Sequence, residues 1–131
     1  MKVLQPAGWT VPKGYANGVA AEGRQVFVAG QIGWNAQCAF ESDDLVDQVR
    51  QTLLNVRAVL AEAGAGPEHI ARMTWYLVDK REYLKRAREI GAVFRELIGV
   101  YTIAMTAVQV AALIEDRAQV EIEVTAVVPR A

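Results

Sequence analysis

The spacing of apolar residues along the chain predicts where its helices lie. Between residues 45 and 60, apolar positions recur every three or four residues, which is the repeat of one face of an α-helix. The residues of this repeat are Leu45, Val49, Leu53, Val56 and Leu60. Ser42 and the two aspartates after it predict a capped helix start, and the run "GAGP" at 64–67 predicts the helix end. The first helix is therefore amphipathic.

A second helical pattern begins after Asp79. Glu82 stands three residues beyond Asp79, as in a capping box that closes the first turn of a helix. The apolar positions that follow are Tyr83, Ile90, Phe94 and Leu97. Gly99 is typical of a helix end. We therefore predict one further amphipathic helix between residues 79 and 99.

Five shorter stretches are rich in β-branched and aromatic residues, which is typical of strands. Two of them lie in 18–33 around a Glu22–Gly23 turn, a third covers 70–78, and the last two cover 103–113 and 118–128. We expect the last two to form a hairpin around "EDRA". The order β-β-α-β-α-β-β predicts an α+β fold in which two helices cover one face of a sheet.

The stretch at 103–113 is largely apolar on both of its faces. Ile103 and Met105 lie on one side of the predicted strand, and Val108 and Val110 lie on the other. Two helices can cover only one face, so the other face needs a second sheet. In a chain of 131 residues that forms a single domain, 1–131, the source we expect is another copy of the same chain. The pattern alone thus predicts a homo-oligomer.

The composition, 53% hydrophobic and 22% charged, is typical of a globular protein. No apolar run approaches the roughly 18 residues that span a bilayer, and "MKVLQPAGWTVPKGY" lacks the apolar region of a signal peptide. We expect a cytoplasmic protein without a membrane partner. Cys38 and His69 are the only residues of their kinds, which excludes Cys-based zinc sites and multi-histidine metal sites. No metal or other cofactor is expected.

The formal net charge of −1 gives no general attraction to nucleic acid, and no nucleic-acid partner is expected. A local basic run, "KREYLKRAR" at 80–88, could form a stripe on the second helix. We interpret this run as a solvated helix face, which is the commoner meaning of such a pattern.

Five motifs occur in an order that is typical of one protein family. They are "GYANGV" at 14–19, "VFVAGQIG" at 26–33, "LLNVRAVLAEAG" at 53–64, "RMTWYLVD" at 72–79 and "VEIEVTAVV" at 120–128. Together they resemble the reactive-intermediate deaminase family, also called RidA/YjgF and endoribonuclease L-PSP. The resemblance implies a chorismate-mutase-like homotrimer that binds a small molecule in the clefts between its subunits. It also implies hydrolysis of an imine or enamine to a ketone and ammonia, with an arginine holding the substrate carboxylate and a glutamate handling the water.

The resemblance also assigns roles to individual residues. Glu121 of "VEIE" matches the water-handling glutamate and is the one catalytic residue we expect. The substrate-binding positions that the resemblance implies are Tyr15, Gly30, Gln31, Met105 and Ala107. Trp34 joins them because it directly follows "GQIG", beside the expected ligand loop. Glu123 lies on the same strand face as Glu121 and is expected to be structural.

Four positions that are polar in the family are apolar here. They are Ala29, Ala87, Met105 and Ala107. Met105 stands where the gripping arginine is expected, and losing such an arginine typically costs a few kcal/mol, or about two decades of affinity. We therefore predict that 2-imino acid deaminase activity is weak or absent unless another cation takes over. The candidate cations are Arg24, Arg88 and Arg117.

Three functions remain open from the sequence. The first is a RidA-like hydrolase of a hydrophobic or aromatic-derived enamine or imine, such as 2-aminomuconate, with Glu121 activating the water. The second is a non-catalytic trimer that binds a small hydrophobic metabolite, and Glu121→Gln would separate the two by abolishing turnover but not binding. The third is RNA cleavage, which needs a basic track lined by aromatic residues, and only 80–88 offers the charge for one.

Overall fold

The computed structural model describes residues 1–130, which form a four-stranded sheet, a small two-stranded sheet and a layer of helices. The strands are β1 (Lys2–Leu4), β2 (Gly18–Ala20), β3 (Arg24–Ile32), β4 (Ile70–Leu77), β5 (Ala104–Gln109) and β6 (Val120–Val128). The helices are α1 (Leu45–Glu62), α2 (Lys80–Lys85) and α3 (Ala87–Leu97), and a 3-10 turn (Pro67–His69) leads into β4. The predicted α+β class is confirmed.

The hydrophobic core lies between the four-stranded sheet and the helices α1 and α3. The apolar stripe predicted for α1 is buried along its length. Asp44 caps this helix, since its carboxylate accepts a hydrogen bond from the N–H of Asp47 at 3.0 Å. From α3, Phe94 packs against Trp75 of β4 with their ring centres 6.3 Å apart. The helices therefore occupy one face of the sheet, as the sequence predicts.

The prediction that the last two strands form a hairpin is wrong. β5 pairs in parallel with β4, and β6 lies in the middle of the sheet, antiparallel to β3 on one side and to β4 on the other. The helices α2 and α3 connect β4 to β5, and a connection of that length permits a parallel crossover. A central position suits β6 because alternate residues from Val120 to Ala126 are buried and both edges of its backbone find partners.

Two further predictions need correction. β2 does not pair with β3 across the Glu22–Gly23 turn; it pairs with β1, a strand of three exposed residues that shows no apolar pattern. The second helix is interrupted at Arg86, where α2 ends and α3 begins, so the basic run at 80–88 is divided between two helices. Arg86 forms ion pairs with three carboxylates, those of Asp44, Glu82 and Glu89. These ion pairs link the break to α2, to α3 and to the N-cap of α1.

The face of the four-stranded sheet opposite the helices is open in the single chain. Phe27 of β3 is 72% exposed there, and Arg72 and Glu123 are exposed as well. The prediction that another copy of the chain covers this face remains a prediction. Within residues 1–130, no helix has the length and apolarity needed to cross a membrane.

Candidate functional site

A β-bulge in β3 brings Gly30 against the side chain of Glu121. The pairing of β3 with β6 shifts between Val28 and Gln31, and beyond the shift Ile32 lies opposite Glu121. A Cβ atom on Gly30 would lie 2.3 Å from Glu121 Oε2, far inside van der Waals contact. Glycine at this position therefore leaves the space that the carboxylate occupies. Two residues predicted for the site thus come together, and we call them, with the bulge, the Glu121 group.

The two glutamates of β6 have different surroundings. The hydroxyl of Tyr76 donates a hydrogen bond to Glu123 Oε1 at 2.6 Å. This bond, together with partial burial and the nearby negative charges of Glu123 and Glu121, raises the pKa of Tyr76. The carboxylate of Glu121 lies instead against Gly30 and is partly exposed. Glu123 is therefore tied to the neighbouring strand, and Glu121 faces the bulge.

The bulge also changes the backbone next to Glu121. Residues 29 and 30 lie outside the regular pairing of β3 with β6, and the extra residue of a bulge leaves its backbone groups unpaired by the ladder. The side chain of Gln31 folds back, and its Nε2 donates to the carbonyl oxygen of Ala29 at 3.1 Å. The amide of Gln31 is thus engaged in stabilising the bulge.

A second set of predicted residues lies on the helix side of the sheet, around a cavity of about 170 Å³. The cavity wall includes Trp75, Tyr83, Ala87, Phe94, Tyr101 and Met105. Met105 pairs with Met73 across the ladder of β4 and β5, and Met73 is fully buried beneath the helices. The family resemblance expects arginine at Met105 and asparagine at Ala87. Both replaced positions therefore line one apolar space, which we call the Met105 cavity.

The segment around Tyr15 runs beside the start of β5. The N–H of Ala16 donates to the carbonyl oxygen of the residue before β5 at 2.9 Å, and Gly14 lines the Met105 cavity. Tyr15 lies between these two points and is 43% exposed. Ala107 lies further along β5, opposite Trp75, and is exposed. Tyr15 is thus next to the cavity, while Ala107 is on the exposed edge strand beyond it.

Trp34 belongs to neither set. Its ring packs against Phe40 with the ring centres 5.9 Å apart, and Nδ2 of Asn55 in α1 donates to its carbonyl oxygen at 2.8 Å. The guanidinium of Arg117 lies over the Phe40 ring at 5.4 Å. The loop after β3 is therefore fixed against α1, and packing within that loop accounts for Trp34.

The arginines that the sequence offers as replacement cations lie elsewhere in the single chain. Arg24 donates to the carbonyl oxygen of Ala63 at the end of α1, at 2.7 Å. Arg117 forms an ion pair with Asp43 at 2.9 Å. Arg88 is exposed on α3. Among residues 1–130, no arginine or lysine lines the Met105 cavity.

The aromatic lining of the Met105 cavity is the feature that sequence reasoning missed. Trp75 is 1% exposed, and Tyr83 contacts its ring edge-on with the ring centres 6.1 Å apart. Burial raises the pKa of Tyr83, so its phenol stays protonated to a higher pH than usual. The signal in the sequence is the apolar stripe that contains Tyr83 and Phe94, which by itself indicates only a core-facing helix.

The Glu121 group and the Met105 cavity lie on opposite faces of the sheet. On β4, Tyr76 is the partner of Glu121, and Met73 is the partner of Met105. Residues 73 and 76 are an odd number of positions apart, so their side chains point to opposite faces. A single chain therefore does not bring its two sets of predicted site residues together.

Known proteins resemble this chain over nearly its whole length. The model of the family described as endoribonuclease L-PSP matches residues 10–128. A RutC family protein of Synechocystis is 34% identical over an alignment of 131 positions, which covers 98% of each chain. The structure of the Rid family protein YyfB from Yersinia pestis matches with a TM-score of 0.84 and 29% identity, over 97% of this chain and 98% of that one. Escherichia coli TdcF, named as a candidate reactive intermediate deaminase, was solved with bound serine and matches over 100% of both chains at a TM-score of 0.70 and 30% identity.

Proposed function

The chain belongs to the endoribonuclease L-PSP family, and from this membership we propose that it hydrolyses an imine or enamine and releases ammonia. The observation that carries the proposal is the close approach of Gly30 to the carboxylate of Glu121. It puts a carboxylate beside a bulged strand whose backbone can hold an oxygen atom. The hydroxyl of Tyr76 binds Glu123, so Glu121 is the glutamate available to a water molecule.

The reaction needs one water and a group that accepts its proton. Glu121 takes a proton as the water oxygen attacks the carbon of the C=N bond. Glu121 passes that proton to the nitrogen, and the product of attack is a carbinolamine. The carbinolamine hydroxyl then gives its proton to Glu121, which passes it to the nitrogen as the C–N bond breaks, so that ammonia leaves and the C=O bond forms. One imine and one water give one ketone and one ammonia, and Glu121 returns to its starting state; an enamine first takes up a proton at carbon to become the imine.

We place this reaction in a cleft between copies of the chain. Glu121 and Met105 lie on opposite faces of one sheet, so a substrate reaches both only when a second copy supplies one of them. The open sheet face supports association because the helices of the same chain leave it uncovered, with Phe27 72% exposed there. The homotrimer that the family resemblance implies is the assembly we propose.

The Met105 cavity favours an uncharged substrate. An arginine fork that binds a carboxylate contributes a few kcal/mol, and methionine at the same position removes that contribution, about two decades of affinity. A 2-imino acid is therefore a poor substrate. 2-Aminomuconate carries two carboxylates, and it fits this wall less well than an uncharged ring compound does.

Ammonia release from imines made in situ tests the role of Glu121. An amine oxidase supplies uncharged aryl imines, and we expect the wild type to release ammonia from them above the uncatalysed rate. Glu121→Gln should lower this activity by about two orders of magnitude or more, because it removes the general base. Glu123→Gln is the matched control and should retain most of the activity. Full activity in Glu121→Gln would contradict the proposal.

Met105→Arg tests the substrate class separately. With 2-imino acids supplied by an amino-acid oxidase, the wild type should be weak and Met105→Arg should gain activity, since the guanidinium restores a carboxylate anchor. Met105→Leu, which keeps the wall apolar, should show no gain. Efficient 2-imino acid hydrolysis by the wild type would mean that another cation serves as the anchor.

A second candidate function is a non-catalytic trimer that binds a small hydrophobic metabolite. The aromatic wall of the Met105 cavity favours it, because binding of an apolar ring needs no carboxylate. Equal ligand binding by the wild type and Glu121→Gln, with no ammonia release from any imine, would select this function over the hydrolase.

A further inference from the structure

One residue of the Met105 cavity wall carries a hydrogen-bond donor without an acceptor. Trp75 lines the cavity and is 1% exposed. Within residues 1–130, its indole Nε1 is the buried side-chain nitrogen or oxygen that has no hydrogen-bond partner. Most buried polar groups in proteins are paired, and an unpaired one destabilises the fold. An unpaired donor on a residue that lines a cavity is therefore a candidate contact for a ligand.

Helix α3 leaves room on another wall of the same cavity. Ala87 and Gly91 lie one helical turn apart, and both line it. A Cβ atom on Gly91 would meet no other atom within 4 Å. Glycine inside a helix makes the helix less stable than alanine does. At position 91 no close contact would exclude an alanine side chain. The absence of a side chain at Gly91 therefore makes the cavity wider.

We propose that the Met105 cavity takes an uncharged, flat ring imine or enamine that also carries a carbonyl oxygen, and that Trp75 donates its indole N–H to that oxygen. This inference rests on the function proposed above and names its substrate class. The cavity volume of about 170 Å³ accommodates one substituted benzene ring, since a cavity of about 150 Å³ holds benzene. Phe94 and Tyr101, with ring centres 6.0 Å apart, supply aromatic contacts. One neutral hydrogen bond then orients the substrate in place of a charged one.

Access to the indole N–H requires a movement of the wall. Nε1 has no exposed surface in the single chain, so a neighbouring side chain must shift before an acceptor reaches it. Met105 is suited to this role because it is only half-buried and its unbranched thioether chain changes conformation easily. Met105 thus acts as a movable wall where the family resemblance expects a fixed anchor.

Binding of three matched probes tests the inference, with turnover measured separately. Acetophenone carries the carbonyl oxygen, α-methylstyrene has the same shape with a CH₂ group in its place, and benzoate carries a carboxylate. We expect acetophenone to bind about two- to tenfold more tightly than α-methylstyrene, which is the range for one neutral hydrogen bond. Benzoate should bind most weakly. Trp75→Phe should remove the difference between the two neutral probes.

Two further measurements test the inference even if the Trp75→Phe variant does not fold. The chain has three tryptophans, so Trp9→Phe and Trp34→Phe identify the indole N–H resonance of Trp75 in the ¹⁵N NMR spectrum. Acetophenone should shift this resonance strongly, and α-methylstyrene should not. Gly91→Ala should raise the unfolding temperature and weaken binding of both neutral probes, because its methyl group narrows the cavity.

The outcomes separate this inference from the proposed function. Equal binding of acetophenone and α-methylstyrene, binding of neither, or an unmoved Trp75 resonance would overturn the inference. Ammonia release that depends on Glu121 would in that case still support the hydrolase. A preference for acetophenone in a protein that releases no ammonia would support the Trp75 contact and rule out the proposed hydrolase activity.

Discussion

Gly30→Ala is the substitution that probes the Glu121 group most sharply. The added Cβ atom would lie 2.3 Å from Oε2, 2.8 Å from Cδ and 2.9 Å from Cγ of Glu121. Ordinary van der Waals contact begins at 3.4 Å, so the carboxylate has to move by about 1.1 Å, which is 3.4 minus 2.3. The backbone of Gly30 is not in the positive-φ region, so alanine causes no strain of its own there.

The expected result is a large loss of activity with little loss of stability. A catalytic group misplaced by about 1 Å lowers the rate about a hundredfold. The clashing atoms belong to a flexible, partly exposed side chain, so the unfolding temperature should change by no more than a few degrees. Both quantities are measurable on one preparation, as kcat/KM for ammonia release and as the midpoint of thermal unfolding.

A double variant controls for effects that do not pass through the carboxylate. If Gly30→Ala acts by moving Glu121, then Gly30→Ala combined with Glu121→Gln should be no slower than Glu121→Gln alone. Wild-type activity in Gly30→Ala, or losses that add in the double variant, would refute the reasoning.

Arg86 and Gly23 yield the remaining predictions. Hydrogen bonds from Arg86 hold the pKa values of Asp44 and Glu89 below their usual range. The two carboxylates therefore stabilise the fold fully above about pH 4, which is near the carboxyl pKa in the unfolded chain. This stabilisation is lost as the pH falls through the lowered pKa values of the folded chain. Arg86→Met should therefore be less stable than the wild type in urea unfolding at pH 7, with a smaller deficit at pH 3; an equal deficit at both would contradict this. Gly23→Ala should destabilise the protein more than Gly64→Ala in the same assay. A Cβ atom at Gly23 would lie 2.2 Å from a backbone carbonyl oxygen of β6, whereas a Cβ atom at Gly64 would meet open space. A larger loss of stability in Gly64→Ala would count against the assigned turn.

The positions of α1 and β6 were predictable because each of them buries one regular face. The repeat in α1 and the alternation in β6 are local properties, so they appear in the sequence directly. The order of the strands was not predictable, because the partners of a strand come from distant parts of the chain. A central strand and one half of a hairpin carry the same alternation, so the pattern of β6 does not identify its partners.

The candidate site, like the fold, was predictable from the sequence only in part. The resemblance selects Glu121 over Glu123, and the structure adds the physical difference: one carboxylate lies against a bulge and the other binds Tyr76. That Met105 and Ala87 line one cavity follows from the register of β4 with β5 and the packing of α3. The sequence predicts neither the unpaired indole N–H of Trp75 nor the open space beside Gly91, because both depend on packing between distant parts of the chain.

The central claim is that the catalytic carboxylate and the substrate cavity come from different copies of the chain, and subunit mixing tests it most directly. Glu121→Gln lacks the carboxylate, and Met105→Trp should block the cavity, so each variant alone should be inactive. After the two are unfolded and refolded together in equal amounts, about a quarter of the clefts should combine an intact Glu121 with an intact cavity, giving about a quarter of the wild-type ammonia release. No recovery in a mixture that has exchanged subunits, or a fully active monomer, would contradict the account.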